Sequence, residues 1–181
     1  MRIRTLGVPA ADRPRKEAVL GYYRMLAAAV LVLWAVLPQR PLAAETFKSF
    51  KLKALDGSER SLADFTNRAT LVVFFHPTCQ YCIAALPKIQ AITDSYKDRG
   101  LSVVWINVLP EENRLLKEWQ THHGLTAPIL AASSSVQRNY RLTMTPTHYL
   151  IDARGNVLWK HAGYREGDEA AIEEAVANAL R

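Results

Sequence analysis

Apolar and polar positions from residue 45 onward fall into short blocks whose period switches repeatedly between that of a strand and that of a helix. Thr70-Leu-Val-Val-Phe-Phe75 is a continuous β-branched and aromatic run, the pattern of a strand buried on both faces. Residues 80–98 then place Ile83, Leu86, Ile89, Ile92 and Tyr96 at helical spacing, and Gly100 marks the stop. Leu101 to Leu109 reads as a second strand. Pro110-Glu-Glu predicts the start of a helix with acids in its first turn, its buried face supplied by Leu115, Leu116 and Trp119. Ala127–Ala131 is a short strand and Ser133–Tyr140 a short helix, while Thr147–Asp152 and Val157–His161 flank the turn Ala153-Arg-Gly-Asn156 as a hairpin. A last helix spans about Asp168 to Leu180. Ahead of these blocks, Phe47, Phe50, Leu52 and Leu55 give an imperfect strand signal that ends at Asp56-Gly57, and Ser61-Leu-Ala-Asp64 reads as a short capped helical turn. Strands alternating with helices and ending in a hairpin predict an α/β domain: a mixed central sheet with helices on both faces.

The first 44 residues follow another pattern. A basic stretch ending at Arg24 precedes the apolar run Met25–Leu37, then Pro38-Gln-Arg-Pro41 and the small pair Ala43-Ala44. These are the parts of an export signal cleaved near Ala44. An uncleaved membrane anchor over residues 19–37 is the alternative, because spanning a bilayer takes roughly 20 apolar residues. Either way residues 45–181 form one folded domain outside the cytoplasm, a periplasmic one. The charge agrees: the chain carries 23 Lys/Arg against 17 Asp/Glu, and residues 1–44 hold seven of the former and only two of the latter. The high pI therefore belongs to the leader, and the nearly neutral domain has no basic face for nucleic acid.

The two cysteines are Cys79 and Cys82, separated by Gln80-Tyr81 and set between the apolar strand and the helix. A disulfide across a two-residue gap closes too short a loop to stabilise a fold appreciably, and a structural zinc site wants four ligands. Redox chemistry is the better explanation. At a strand-to-helix junction the unpaired helix amides favour negative charge, which marks Cys79 as the nucleophile. Cys82, one turn inside, is the resolving thiol, and no cofactor beyond this dithiol is called for.

Cys79-x-x-Cys82 with Pro87 five residues later, Met144-Thr145-Pro146-Thr147 entering a strand, and the Asp152-Ala-Arg-Gly-Asn156 turn together resemble the thioredoxin fold. The export leader, the long segment between the cysteines and Pro146, and the lead-in Asp56-Gly57 to Leu62-Ala-Asp-Phe65 are similar to its TlpA/ResA-like branch of extracytoplasmic thiol-disulfide oxidoreductases. The resemblance covers nearly all of residues 46–180. It implies a cis Thr145–Pro146 bond beside the dithiol, with Thr145 and Pro146 binding an extended substrate segment by backbone pairing, and a helix kinked at Pro87. It also implies cysteine-containing protein substrates, an upstream electron donor such as a membrane thiol-disulfide transporter, and reduction of partners in cytochrome c or cuproenzyme maturation.

The sequence departs from the family at four places. Val73 stands where thioredoxins carry a buried acid, and Ala84-Ala85 where many TlpA-like proteins carry a Glu. Thr78 replaces the Trp common before the first Cys, and Gln80-Tyr81 lacks the Pro of many reductases. With both usual proton acceptors missing, His76 and His148 become candidate accessory residues for Cys82. A second reading, a Cu(I) metallochaperone, would use His76, Cys79 and Cys82 as soft ligands, with His148 as a fourth.

Overall fold

The computed structural model describes residues 45–131 and 135–181, together with Gly21, Tyr23 and Leu26. The signal or anchor expected over residues 1–44 lies outside these, as does the expected helix start at Ser133. Among the described residues no helix is long and apolar enough to cross a membrane.

Among the described residues from 45 onward, seven strands and four α-helices follow one another as β1 (Lys51–Lys53), β2 (Glu59–Ser61), β3 (Ala69–Phe75), α1 (Gln80–Tyr96), β4 (Leu101–Asn107), α2 (Asn113–His122), β5 (Ile129–Leu130), α3 (Val136–Tyr140), β6 (Thr147–Asp152), β7 (Val157–Ala162) and α4 (Asp168–Ala179). The central sheet has the order β5-β4-β3-β6-β7, with β3, β4 and β5 parallel and β6 and β7 antiparallel to their neighbours. Every residue of β3 is buried, as its unbroken apolar run requires. Side chains alternate across it: Leu71, Val73 and Phe75 join the core under α1 and α4, whereas Val72 and Phe74 join the core on the opposite face. That second face is closed less by helix than by the N-terminal segment, with Phe47, Phe50 and Leu52 packing beside Tyr140 of the one-turn α3.

Local chemistry sets the element ends. Ser61 and Asp64 form the expected reciprocal cap on a 3₁₀ turn over Leu62–Phe65. Between β6 and β7, the Asp152 carboxylate accepts from the Arg154 and Asn156 backbone amides, both at 2.8 Å, and from the Asn156 side chain at 2.7 Å. Phe47 donates its amide to Gly155 O, which ties the N-terminal segment to this turn.

Three expectations fail in detail. Ile83 and Leu115 are exposed: the core-facing stripe of α1 passes through Cys82, Leu86 and Ile89, and Leu116 carries the packing of α2. The helix after β4 begins at Asn113 behind a Glu112 cap, so Pro110-Glu111 precedes it and its first turn holds no acid. The strand at Ala127–Ala131 contracts to Ile129–Leu130, which alone reach β4 in register.

Candidate active site

β3 runs directly into the dithiol. Its last residue, Phe75, packs between Trp105 and Trp119, with ring centroids 5.3 and 5.0 Å away, which fixes where the strand leaves the core. His76-Pro-Thr78 then turns, and the Cys79 amide closes that turn on His76 O at 3.1 Å. Cys79 is the N-cap of α1, its backbone extended and its Sγ accepting the Cys82 amide at 3.2 Å. A sulfur thus fills the capping position that a serine or aspartate oxygen usually occupies, at the positive end of the helix dipole. Cys82, one turn further, is fully buried, while Cys79 keeps a sliver of exposure at 7%. Both are free thiols. Burial pushes the Cys82 thiol well above the usual range, and the Cys79 sulfur beside it adds to the effect.

The loop before β6 closes the other side. Thr145–Pro146 is a cis peptide, Pro146 is buried, and the Thr145 carbonyl lies 3.5 Å from Cys79 Sγ as acceptor of its thiol proton. Residues 66 positions apart in sequence therefore meet at one sulfur. Tyr81 and Met144, each more than half exposed, flank the thiols. From them a groove of about 460 Å³ runs past Thr145 to His161, Tyr164 and Arg165.

The accessory candidates separate. Gln80 and Pro87 are exposed, and α1 continues through Pro87 to Tyr96. His76 is half-buried, its Nδ1 engaging the Thr78 hydroxyl at 3.1 Å. His148 lies inside the protein, fully buried, with neither ring nitrogen hydrogen-bonded. Desolvation lowers its pKa to about 4, helped by the neighbouring His161 and opposed by smaller contributions from the His161 backbone and Asp168. Val73 sits directly across from His148 in the β3–β6 register, and Ala85 is buried in the helix above. Among the described residues no group of three or more His, Cys, Asp or Glu side chains could hold a metal ion, which leaves the Cu(I) reading without a ligand set.

Two neighbours of the site escaped the sequence reading. His161 on β7 pairs with Asp168 at 3.0 Å, and its ring stacks 5.6 Å from Trp159. Asp168 also accepts the Arg165 amide at 2.8 Å and is held below the usual carboxylate range by that bond and by His161. The signal available was a histidine at the end of a predicted strand and an aspartate opening a predicted helix. Nothing in their spacing says that the chain reverses to bring them together.

A five-stranded mixed sheet with a Cys-x-x-Cys helix cap facing a Thr-Pro loop defines a thioredoxin-fold dithiol protein. Residues 43–160 match the AhpC/TSA family model, and the chain belongs to that family. It is 28% identical over 116 residues to the thioredoxin-like protein YneN of Bacillus subtilis, covering 63% of this chain and 68% of that protein. It is 28% identical over 113 residues to the thiol-disulfide oxidoreductase ResA of Geobacillus kaustophilus, covering 62% of this chain and 64% of that one. A thioredoxin-family thiol:disulfide interchange protein from Chlorobium tepidum superposes with a TM-score of 0.66 at 27% identity, over 76% of this chain and 97% of its own. The resemblance to the TlpA/ResA-like branch agrees with these relatives, and the chain is a thioredoxin-like thiol-disulfide oxidoreductase.

Proposed function

We propose that this oxidoreductase works outside the cytoplasm as a reductant of cysteine-containing partner proteins, in cytochrome c or cuproenzyme maturation, with Cys79 as nucleophile and Cys82 as resolving thiol. The observation that carries the reading is the asymmetry of the pair: Cys79 Sγ caps a helix and keeps the exposed edge, while Cys82 is sealed beneath it. Cys79 thiolate attacks a partner disulfide, whose S–S bond breaks as the mixed disulfide forms, and the first partner sulfur leaves to take a proton from water. Cys82 then loses its proton and attacks Cys79 Sγ; the Cys79–Cys82 bond forms and the second partner sulfur leaves. An upstream dithiol, such as that of a membrane thiol-disulfide transporter, returns two electrons to the oxidised pair. The Thr145 carbonyl beside Cys79 supports a role for Thr145 and Pro146 in pairing with an extended partner segment.

The reducing direction is supported by the setting of Cys82. A strong oxidant owes its potential to a stabilised reduced form, and here burial gives the Cys82 sulfur no compensating charge. Equilibration of the full chain with glutathione tests the direction, and a potential above about −150 mV, approaching the roughly −120 mV of DsbA, would sink it. Cys82→Ala should trap partners as stable mixed disulfides through Cys79. If Cys79→Ala still reduces insulin, the nucleophile assignment is wrong.

A further inference from the structure

Resolution requires the fully buried Cys82 thiol to give up a proton, and the surroundings restrict where it can go. Among the described residues the buried polar side chains are Thr70, Thr93, Asn107, Thr147 and His148. None is a carboxylate, and only His148 carries a basic atom. Its position fits the need. His148 stands opposite Val73 in the β3–β6 register, so the two side chains share a face of the sheet. Val73 belongs to the same core cluster as Cys82, and His148 follows three residues after the Thr145 carbonyl that meets Cys79. Both ring nitrogens are unpartnered, so a lone pair is free, although leaving such a ring buried and unpaired costs stability.

We propose that His148 is the internal proton acceptor of the resolving thiol, with the His161–Asp168 pair as its outlet to the groove. The inference rests on the dithiol exchange proposed above and adds the route of its proton. As Cys82 S–H breaks, the proton passes to a His148 ring nitrogen and the sulfur attacks Cys79 Sγ. The Cys79–partner bond breaks as the Cys79–Cys82 bond forms. The electron pair leaves on the partner sulfur, which is protonated from water, and His148 hands its proton outward. His161 is its cross-strand neighbour on β7, with ring centroids 6.2 Å apart, and reaches Asp168 at 3.0 Å on the wall of the groove.

The charges around the ring are few. From β7 it faces His161 and from α4 Asp168; β3 presents Val73 opposite, which shares a core cluster with Cys82 of α1. Burial keeps His148 neutral at neutral pH and therefore ready to accept. The same burial makes protonation expensive in isolation, and a thiolate formed beside the ring offsets that cost by attraction. In the mixed disulfide, moreover, Cys79 no longer presents the free sulfur that holds the Cys82 thiol up.

Reaction of the reduced full chain with dithiobis(nitrobenzoate) separates the steps, because Cys79 releases one thionitrobenzoate on attack and Cys82 a second on resolution. The second phase of the wild type should be independent of pH above about pH 5, where His148 is neutral. His148→Leu should slow that phase about a hundredfold near pH 6.5, leave the first phase intact, and turn the plateau into a rise of about tenfold per pH unit, as expected when free thiolate must form in solvent. A second phase of His148→Leu that matches the wild type in rate and profile overturns the proposal, as does a plateau that His76→Leu abolishes instead. If His148→Leu does not fold, the wild-type profile decides: a second phase that climbs tenfold per unit from pH 5 to 8 overturns it. Absence of the first phase in the wild type would instead refute the dithiol reading itself.

Discussion

Cys79 and Cys82 differ by a single helical turn, yet the turn places one sulfur at the helix mouth and the other in the core. Cys79→Ala should therefore abolish disulfide exchange, whereas Cys82→Ala should retain a single-thiol attack and stall at the mixed disulfide, which mass spectrometry would detect as a partner-sized adduct. His148 adds a stability signature of its own. Its folded pKa of about 4 lies below the unfolded value of 6.5, so between these values the unfolded chain binds more protons. The contribution is complete above pH 6.5 and is lost as pH falls toward 4, an expected loss of about 3 kcal/mol. Urea denaturation at pH 7 and pH 4 should show this loss in the wild type, reduced in His148→Leu. Both histidines flagged for Cys82 were visible as residue types, but nothing in the string tells that His76 faces its own turn and Thr78 while His148 faces the interior.

At the scale of elements, the α1–β4 connection shows how a backbone requirement holds distant parts together. Gly100 ends the helix at φ +101°, and a Cβ there would stand 2.9 Å from the Arg68 side chain. Arg68 cannot swing away without cost, because its guanidinium bonds Arg99 O at 3.4 Å and, at the end of the chain, Leu180 O at 3.1 Å and Arg181 O at 3.0 Å. Gly100→Ala should destabilise the fold by about 1–2 kcal/mol, read as a lower urea midpoint with the thiol chemistry unchanged. The start of α4 is fixed similarly. Glu169 accepts from the Tyr164 hydroxyl at 2.8 Å and the Gly167 amide at 2.9 Å and pairs with Lys88 of α1 at 3.5 Å. Most elements could be read from periodicity and stop signals, since Gly100, Asp56-Gly57 and the Ser61–Asp64 cap act locally. Which apolar residues face inward was less legible: Ile83 and Leu115 satisfy helical spacing yet point to solvent, because a stripe fixes a helix face only to within about one position.

For the whole molecule, redox state and stability are linked, so the direction of electron flow has a folding counterpart. A disulfide that is hard to reduce is one the native state stabilises relative to the unfolded chain. The urea midpoint of the oxidised full chain should therefore lie above that of the reduced chain, and the reverse order would place the protein among the oxidants. By itself the sequence determined the α/β class, the order of the elements, the Cys79/Cys82 pair at a strand-to-helix junction and the Thr-Pro loop, because each rests on local patterning, turn chemistry or a short motif. Only the tertiary structure decided that Val73 faces a buried, unpartnered His148, that His161 meets Asp168, and that this pair lines an open groove together with Tyr81 and Thr145. Those are matters of strand register and of the return of a helix onto its hairpin. Both follow from how the two faces of the sheet pack, and no window of sequence contains that information.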